Sequence, residues 1–212
     1  MEPIFLGIAG GSCSGKTTLV NALEKSLPYE VSKIAFDSYY CDQGHLPLDE
    51  RALVNYDHPD SLDVSLFIDD LRDLRSGKII SSPVYDFATH TRSTDSIEVM
   101  ATEVVILDGI LLLVFPEICE LLDLKVFVDA PEAIRSSRRV IRDEAERGRT
   151  AEQAEAQILR TVRPMHAKFV DPSMKKADLV IWDISNLSEI PYYVSNHPIR
   201  QVIKNGNLVF GS

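Results

Sequence analysis

Short apolar runs alternate with stretches whose apolar residues recur every three or four positions, and the alternation continues to residue 182. That order predicts a mainly parallel sheet covered by helices. Residues 4–9 read as a buried strand ended by Gly10-Gly11. Residues 16–27 read as a helix with Leu19, Val20, Leu23 and Leu27 on one face, stopped by Pro28. Residues 31–36 form a second predicted strand. Asp60 is placed to cap a helix whose inner face is Val64, Phe67, Ile68, Leu71 and Leu74 and which Gly77 ends. The β character around Pro83, followed by a polar turn, predicts a hairpin over residues 78–100 that projects from the sheet. Residues 103–107 and 124–128 are further strands, Pro131 opens an arginine-rich helix, residues 151–162 are helical, and Leu179–Trp182 reads as the last central strand. Asn205-Gly206 between apolar runs signals a terminal hairpin over 201–210. The connection from Asp37 to Pro59 is long, polar and aromatic, the kind of segment that carries function in a compact domain.

Composition narrows the function classes. With 45% hydrophobic and 25% charged residues the chain can build an ordinary core, which excludes a mostly disordered protein. The longest apolar run, residues 110–115, is too short to cross a bilayer. A net charge of −10 argues against general nucleic-acid binding. Cys13, Cys41 and Cys119 are odd in number and widely separated, matching neither a disulfide framework nor a zinc pair. The acidic start, Met-Glu-Pro, lacks the basic character of a secretory signal, so a reducing, cytoplasmic setting is expected.

Candidate chemistry begins at the first strand–helix junction. Gly10-Gly11-Ser12-Cys13-Ser14-Gly15-Lys16-Thr17, followed by Thr18, satisfies G-x-x-x-x-G-K-[ST] in the required strand–loop–helix context. The glycines let successive backbone N–H groups turn around anionic phosphates, Lys16 is placed to reach the β- and γ-phosphates, and the Thr17 hydroxyl to ligate Mg²⁺. The expected fold is therefore α/β, a doubly wound parallel sheet of the P-loop NTPase type. We expect a single P-loop domain over residues 1–212, with the projecting hairpin at about 78–100 and an arginine-rich helical lid at about 135–165, although a P-loop alone does not separate a kinase from a GTPase or a motor. A guanine-reading N-K-x-D and a switch D-x-x-G are absent, which favours ATP.

Two predicted strands deliver carboxylates, Asp37 and Asp108, to the sheet edge that faces this loop. One can hold Mg²⁺ and the other can take a hydroxyl proton during phosphoryl transfer. Arg135, Arg138, Arg139 and Arg142 share one helical face, and Arg147 and Arg149 follow. A solvated, salt-bridged face is the bland interpretation. A guanidinium-rich lid, with Gly148 as part of its hinge, fits the one-sided arrangement better. The long segments add Tyr39, Tyr40, Tyr56, Asp57, His58, Tyr85, Asp86, Phe87 and His90, which serve equally for core packing or for holding a base and a ribose.

At this point the sequence resembles the uridine kinase (uridine–cytidine kinase) family. The likeness runs from about residue 4 to about residue 182. It rests on the P-loop, Asp37-Ser38-Tyr39-Tyr40, Asn55-Tyr56-Asp57-His58-Pro59-Asp60, Pro83-Val84-Tyr85-Asp86-Phe87 with His90 and Arg92, Arg138-Arg139-Val140-Ile141-Arg142-Asp143, Glu146-Arg147-Gly148-Arg149, and Arg163-Pro164-Met165-His166 with Phe169-Val170 and Pro172-Ser173. The resemblance implies ATP and Mg²⁺, a pyrimidine nucleoside as acceptor, and a homo-oligomer, commonly a tetramer. By position it implies that Asp37 is the general base, that Asp57 and Arg139 hold the ribose, and that Tyr85 and His90 read the pyrimidine edge. Tyr40, Tyr56 and Phe87 would pack on the base, and Arg149 and Gln157 would be further substrate contacts. Thr17 and Asp108 would lie on the metal side, with Arg142 near the transferring phosphate.

Asp108 stands where the family commonly has glutamate, and Arg135-Ser136-Ser137 replaces a more apolar start of the lid helix. Ile184-Ser185-Asn186 replaces a glycine-rich turn on the adenine side, leaving Asn186 as a guessed adenine contact. Two competitors stay open. One is another small-metabolite kinase, acting on ribulose 5-phosphate, pantothenate or nicotinamide riboside. The other is a non-catalytic nucleotide-binding regulator.

Overall fold

The computed structural model describes residues 2–182; the hairpin expected at 201–210 and the segment around Asn186 lie outside the described residues. In chain order the elements are β1 (Ile4–Gly10), α1 (Lys16–Ser26), β2 (Val31–Ala35), α2 (Leu48–Arg51), α3 (Val64–Arg75), β3 (Ile80–Asp86), β4 (Thr91–Val99), β5 (Val104–Asp108), α4 (Pro116–Leu121), β6 (Leu124–Asp129), α5 (Glu132–Arg147), α6 (Ala151–Gln157) and β7 (Leu179–Trp182). Among the described residues the main sheet is parallel and runs β2-β5-β1-β6-β7. Leu179–Trp182 therefore lies at the edge of the described sheet and not at its centre, and Trp182 is exposed there. No helix among the described residues is long and apolar enough to cross a membrane.

The apolar runs of β1 and β5 are buried on both faces, as parallel strands under two helical layers must be. Side chains alternate between the layers. Phe5 and Ala9 join a core with Phe67, Leu71 and Leu74 of α3, while Leu6 and Ile8 join Leu19, Val20 and Leu23 of α1 on the other face. The cap of α3 is a correction: Asp63 accepts from Leu66 N at 3.1 Å, whereas Asp60 sits in the 3₁₀ turn Pro59–Ser61. Gly77 ends this helix region at φ +84, a left-handed conformation that suits glycine.

β3 and β4 form a separate antiparallel pair, so the expected hairpin is present. Arg92 of β4 ties it down, donating to the Tyr40 carbonyl at 2.8 Å and the Tyr39 carbonyl at 3.1 Å and pairing with Asp63. The helical course after residue 150 runs on to Lys176, well past the expected end at 162. Two wide turns, Ile158–Val162 and His166–Val170, precede Pro164 and Pro172. A widened turn makes room for a ring that cannot donate an N–H and that crowds the carbonyl four residues back, so the prolines redirect the helix without ending it.

β1 lies between β5 and β6, and the chain leaves it in the direction opposite to that taken by later strands. Its carboxyl end therefore opens at the switch point of the sheet. Gly10 closes the strand at φ +141, and a Cβ there would lie 2.2 Å from the Val128 carbonyl oxygen of the adjacent strand. Gly10→Ala is expected to lower the melting temperature by roughly 5–10 °C, from backbone strain plus a clash that cannot relax. Gly148→Ala, where a Cβ meets nothing within 4 Å, carries only the cost of its left-handed φ and is expected to cost roughly 1 kcal/mol. Equal losses in thermal melts of the two variants would contradict this assignment.

Candidate active site

The strand register brings the two predicted carboxylates together. Ile8 of β1 and Ala35 of β2 are both level with Asp108 at the end of β5. Asp37 follows two residues later, in the 3₁₀ turn Phe36–Tyr39; β2 ends at Ala35, so this turn and not the strand carries the acid. The loop after β1 folds tightly, with Cys13 at φ +60, Gly15 at φ +109 and Ser14 N donating to the Gly11 carbonyl at 3.1 Å. α1 begins at Lys16, so the positive end of its dipole and its free N–H groups face the same space.

Lys16 is buried and bends back, its Nζ donating to the carbonyls of Gly10 at 3.0 Å and Gly11 at 3.1 Å. Burial pushes its pKa down, while Asp37 and Asp108 draw it back up. Burial likewise raises Asp37 above the usual carboxylate range, with Lys16 opposing. It raises Asp108 to about 6, with Lys16 opposing and Asp37 adding to the rise. One cation thus feels two desolvated acids, and each of them feels it.

Two cavities meet at this point. The first, about 480 Å³, is lined by Ser12, Cys13, Gly15, Lys16, Thr17, Thr18, Asp37, Asp108, Ile110, Arg138 and Arg142. The second, about 50 Å³, is lined by Ser12, Asp37, Tyr40, Tyr56, Asp57, Tyr85, Phe87, His90, Ile110, Arg139, Arg142, Arg147, Arg149 and Gln157. All nine residues expected to contact an acceptor line the second cavity. Thr17 and Asp108 line the first, and Asp37 and Arg142 line both. Gly10, Gly11 and Ser14 shape the loop without lining either cavity.

The aromatic cavity is built from the 37–59 connection and the hairpin. Tyr40 meets Tyr56 edge-on at 5.6 Å and Tyr85 at 5.2 Å, and His90 stacks on Tyr56 at 4.5 Å with planes 9° apart. Burial, then Arg149 and Arg147, push the His90 pKa down, so its imidazole is neutral. The Tyr85 hydroxyl is buried beside that of Tyr56 without a well-formed hydrogen bond, leaving one polar group open to a ligand. Asp57 is buried and accepts from Thr161 Oγ1 at 3.1 Å. Thr161 lies in the wide turn after α6 and was missed because nothing local to residue 161 points to residue 57.

The arginine helix divides by role. Arg135 donates to the Ala130 carbonyl at 2.9 Å and lines neither cavity, so it belongs to the frame under Gly11 and not to the lid face. Arg139 is buried and donates to Ser12 Oγ at 2.8 Å and Gln157 Oε1 at 3.3 Å. Arg147 lies over the Phe87 ring at 4.9 Å. Gly148 is the left-handed cap of α5, where the sequence suggested a hinge; Gly148 N donates to the Asp143 carbonyl.

Comparison with known proteins agrees with this arrangement. The model of the Phosphoribulokinase / Uridine kinase family matches residues 5–188. The chain belongs to that family. A uridine kinase from Clostridium novyi (strain NT) is 42% identical over 85% of this chain and 88% of its own length. A uridine kinase from Bacillus cytotoxicus is 46% identical over 85% of each. At the level of fold, phosphoribulokinase from Rhodobacter spheroides superposes with a TM-score of 0.65 and 17% identity, covering 85% of this chain and 70% of that one. D-glycerate 3-kinase from Cryptococcus neoformans gives a TM-score of 0.61 and 17% identity, covering 82% and 80%. The two solved structures share the α/β architecture of the family member described here.

Among the described residues no group of three or more metal-ligating side chains occurs. Thr17 and Asp108 still suit Mg²⁺, which commonly keeps waters and takes one or two protein oxygens beside phosphates. A divalent cation would also offset the desolvation that raises Asp108.

His166, unassigned by the sequence reading, packs beneath the loop: a Cβ on Gly11 would lie 2.9 Å from its Cε1. Its Nδ1 is buried without a partner, and burial, then Arg135, push its pKa down to about 4 from an ordinary 6.5. The folded state therefore binds fewer protons than the unfolded state between those values, so stability rises with pH across that window and is lost as the pH falls. The wild type is expected to lose roughly 1 kcal/mol between pH 6.5 and pH 5 from this group, and His166→Gln to lose correspondingly less. Identical pH dependence of the two in thermal melts would contradict this.

Proposed function

We propose that the protein is a nucleoside kinase that transfers the γ-phosphoryl group of ATP to the 5′-hydroxyl of uridine or cytidine. The observation that carries this reading is the seam: Asp37 and Arg142 are shared by a loop-lined cavity suited to phosphates and an aromatic cavity suited to a nucleoside. Thr17 and Asp108 would hold Mg²⁺, which would supply neutralisation of phosphate charge. Lys16 leaves its carbonyl partners for the phosphates, and the Gly11 carbonyl keeps the Ser14 N–H as a donor. Asp37, with its pKa raised by burial, is a stronger base than an ordinary carboxylate. It takes the alcohol proton as the oxygen bonds to the γ-phosphorus and the bond to the bridging oxygen of ADP breaks. Arg142, at the seam, balances charge on the moving group.

The acceptor side fits a pyrimidine nucleoside. Asp57 and Arg139 can share the two ribose hydroxyls, and the open Tyr85 hydroxyl and neutral His90 can read a base edge. The aromatic cavity, at about 50 Å³, is far below the roughly 300–1,000 Å³ of a ligand pocket. Entry of a nucleoside therefore requires the hairpin and arginine helix to part. The strongest competing reading is a phosphorylated sugar, favoured by Arg139, Arg142, Arg147 and Arg149 around the cavity. Against it, all four lie within 4 Å of the Asp143 carboxylate, and a sugar gives the Tyr56–His90 stack no planar partner.

Coupled ADP release over a panel of uridine, cytidine, purine nucleosides, ribulose 5-phosphate and pantothenate, with Mg²⁺, tests the proposal. Turnover should require a pyrimidine nucleoside. Asp37→Asn should lower kcat by roughly 10²–10⁴-fold and leave ATP affinity within a few-fold. Nucleoside-independent ADP release, preference for the phosphosugar, or near-normal activity of Asp37→Asn would each count against it.

A further inference from the structure

Asp143 has no exposed surface, yet it is a carboxylate at the end of a surface helix. Its Oδ1 accepts from Arg142 at 2.7 and 3.1 Å, and its Oδ2 from Arg149 Nη1 at 2.9 Å. Arg139 Nε lies 3.6 Å and Arg147 Nε 3.8 Å from the same carboxylate. Its backbone carbonyl accepts from Gly148 N and Arg149 N, so the residue also caps α5. Four guanidinium groups would repel one another in a partly desolvated space. One anion at their centre lets them coexist while leaving a surplus of positive charge for a substrate. Burial alone would raise the Asp143 pKa; Arg142, Arg139 and Arg147 more than offset it, so the group stays ionised.

The four arginines lead to different places. Arg139 reaches Ser12 of the phosphate loop and Gln157 of α6. Arg142 lines both cavities, Arg147 covers the Phe87 ring, and Arg149 lines the aromatic cavity. Asp143 touches neither cavity itself, and nothing in its local sequence distinguishes it from the exposed acids Glu144 and Glu146.

We propose that Asp143 is a positioning residue that couples the two substrate cavities, holding the arginines of both in one charge-balanced cluster so that filling one cavity favours filling the other. A shift of any one guanidinium toward a substrate changes the balance felt by the other three through the shared carboxylate, and by linkage the effect is reciprocal. The inference rests on the nucleoside kinase reading.

The test compares wild type with Asp143→Asn, which keeps the shape and removes the charge, and Asp143→Glu, which keeps the charge. The dissociation constant of the non-hydrolysable ATP analogue AMP-PNP with Mg²⁺ is measured by calorimetry with and without saturating uridine, beside kcat, KM and melting temperature. In the wild type, uridine should tighten AMP-PNP binding by roughly 5-fold or more. In Asp143→Asn this factor should fall below about 2-fold and kcat by roughly 10-fold or more, with Asp143→Glu recovering part of both. Should Asp143→Asn fail to fold, Arg149→Lys, which removes the fork but keeps the charge, is expected to show the same loss of coupling. An unchanged factor in whichever variant folds, or no coupling in the wild type, overturns the proposal while uridine turnover by the wild type preserves the reading beneath it. A wild type that turns over no pyrimidine nucleoside overturns both.

Discussion

The site depends on burying one lysine with two aspartates at the open end of a parallel sheet. Desolvation penalises all three charges, and their mutual attraction only partly compensates, which is why Lys16 is pushed down in pKa and Asp37 and Asp108 are pushed up. The sheet imposes this arrangement. Parallel register puts the ends of β1, β2 and β5 side by side, so Ile8, Ala35 and Asp108, from three separate segments, arrive level with one another. What is costly for the folded chain is useful for phosphoryl transfer: a poorly solvated acid is a better base, and a poorly solvated lysine gains most from a phosphate. Rigidity at the loop follows from the same geometry, because Gly10 has a neighbouring strand's carbonyl against its Cα.

A second layer of charge covers the first. Around the acceptor cavity the excess is positive, in a chain whose net charge is −10. Local surplus in a globally acidic protein keeps polyanionic surfaces away while concentrating positive charge beside the phosphate loop, whose cavity Arg142 also lines. Asp143 makes that surplus tolerable. Helix α5 is therefore not the solvated, salt-bridged face that is the bland interpretation of its sequence. Its i,i+4 pairs exist, but they are buried and converge on one acid.

The amino-acid pattern made the sheet, the hairpin and the glycine-rich loop legible because each depends on local periodicity or local turn chemistry. Strand ends, the α1 and α3 faces and the P-loop all lie within a residue or two of where periodicity puts them. Errors fell where tertiary contacts decide. Asp63 outcompetes Asp60 as a cap because Arg92 of the hairpin holds it in place. Leu179–Trp182 does join the main sheet over the expected residues, at the edge of its described part. Gly148, suggested as part of a hinge, is also the left-handed cap of α5, which only its φ reveals. Within the site, every acceptor-side residue suggested by the family resemblance lines one cavity, whereas the chain by itself gives no role to Asp143, Thr161 or His166. Their significance lies in partners that are at least 104 positions away for Thr161, or in neighbours whose direction only the folded helix reveals.

Phosphorus NMR of a reaction containing the protein, ATP, Mg²⁺ and uridine examines the central claim most directly, since it reads both the bond made and the bond broken. A base at residue 37 facing a sugar alcohol across the seam requires one new 5′-phosphomonoester for each ADP formed, and no inorganic phosphate in the absence of nucleoside. Phosphate appearing without uridine, or an ester on the 2′- or 3′-oxygen, would contradict it.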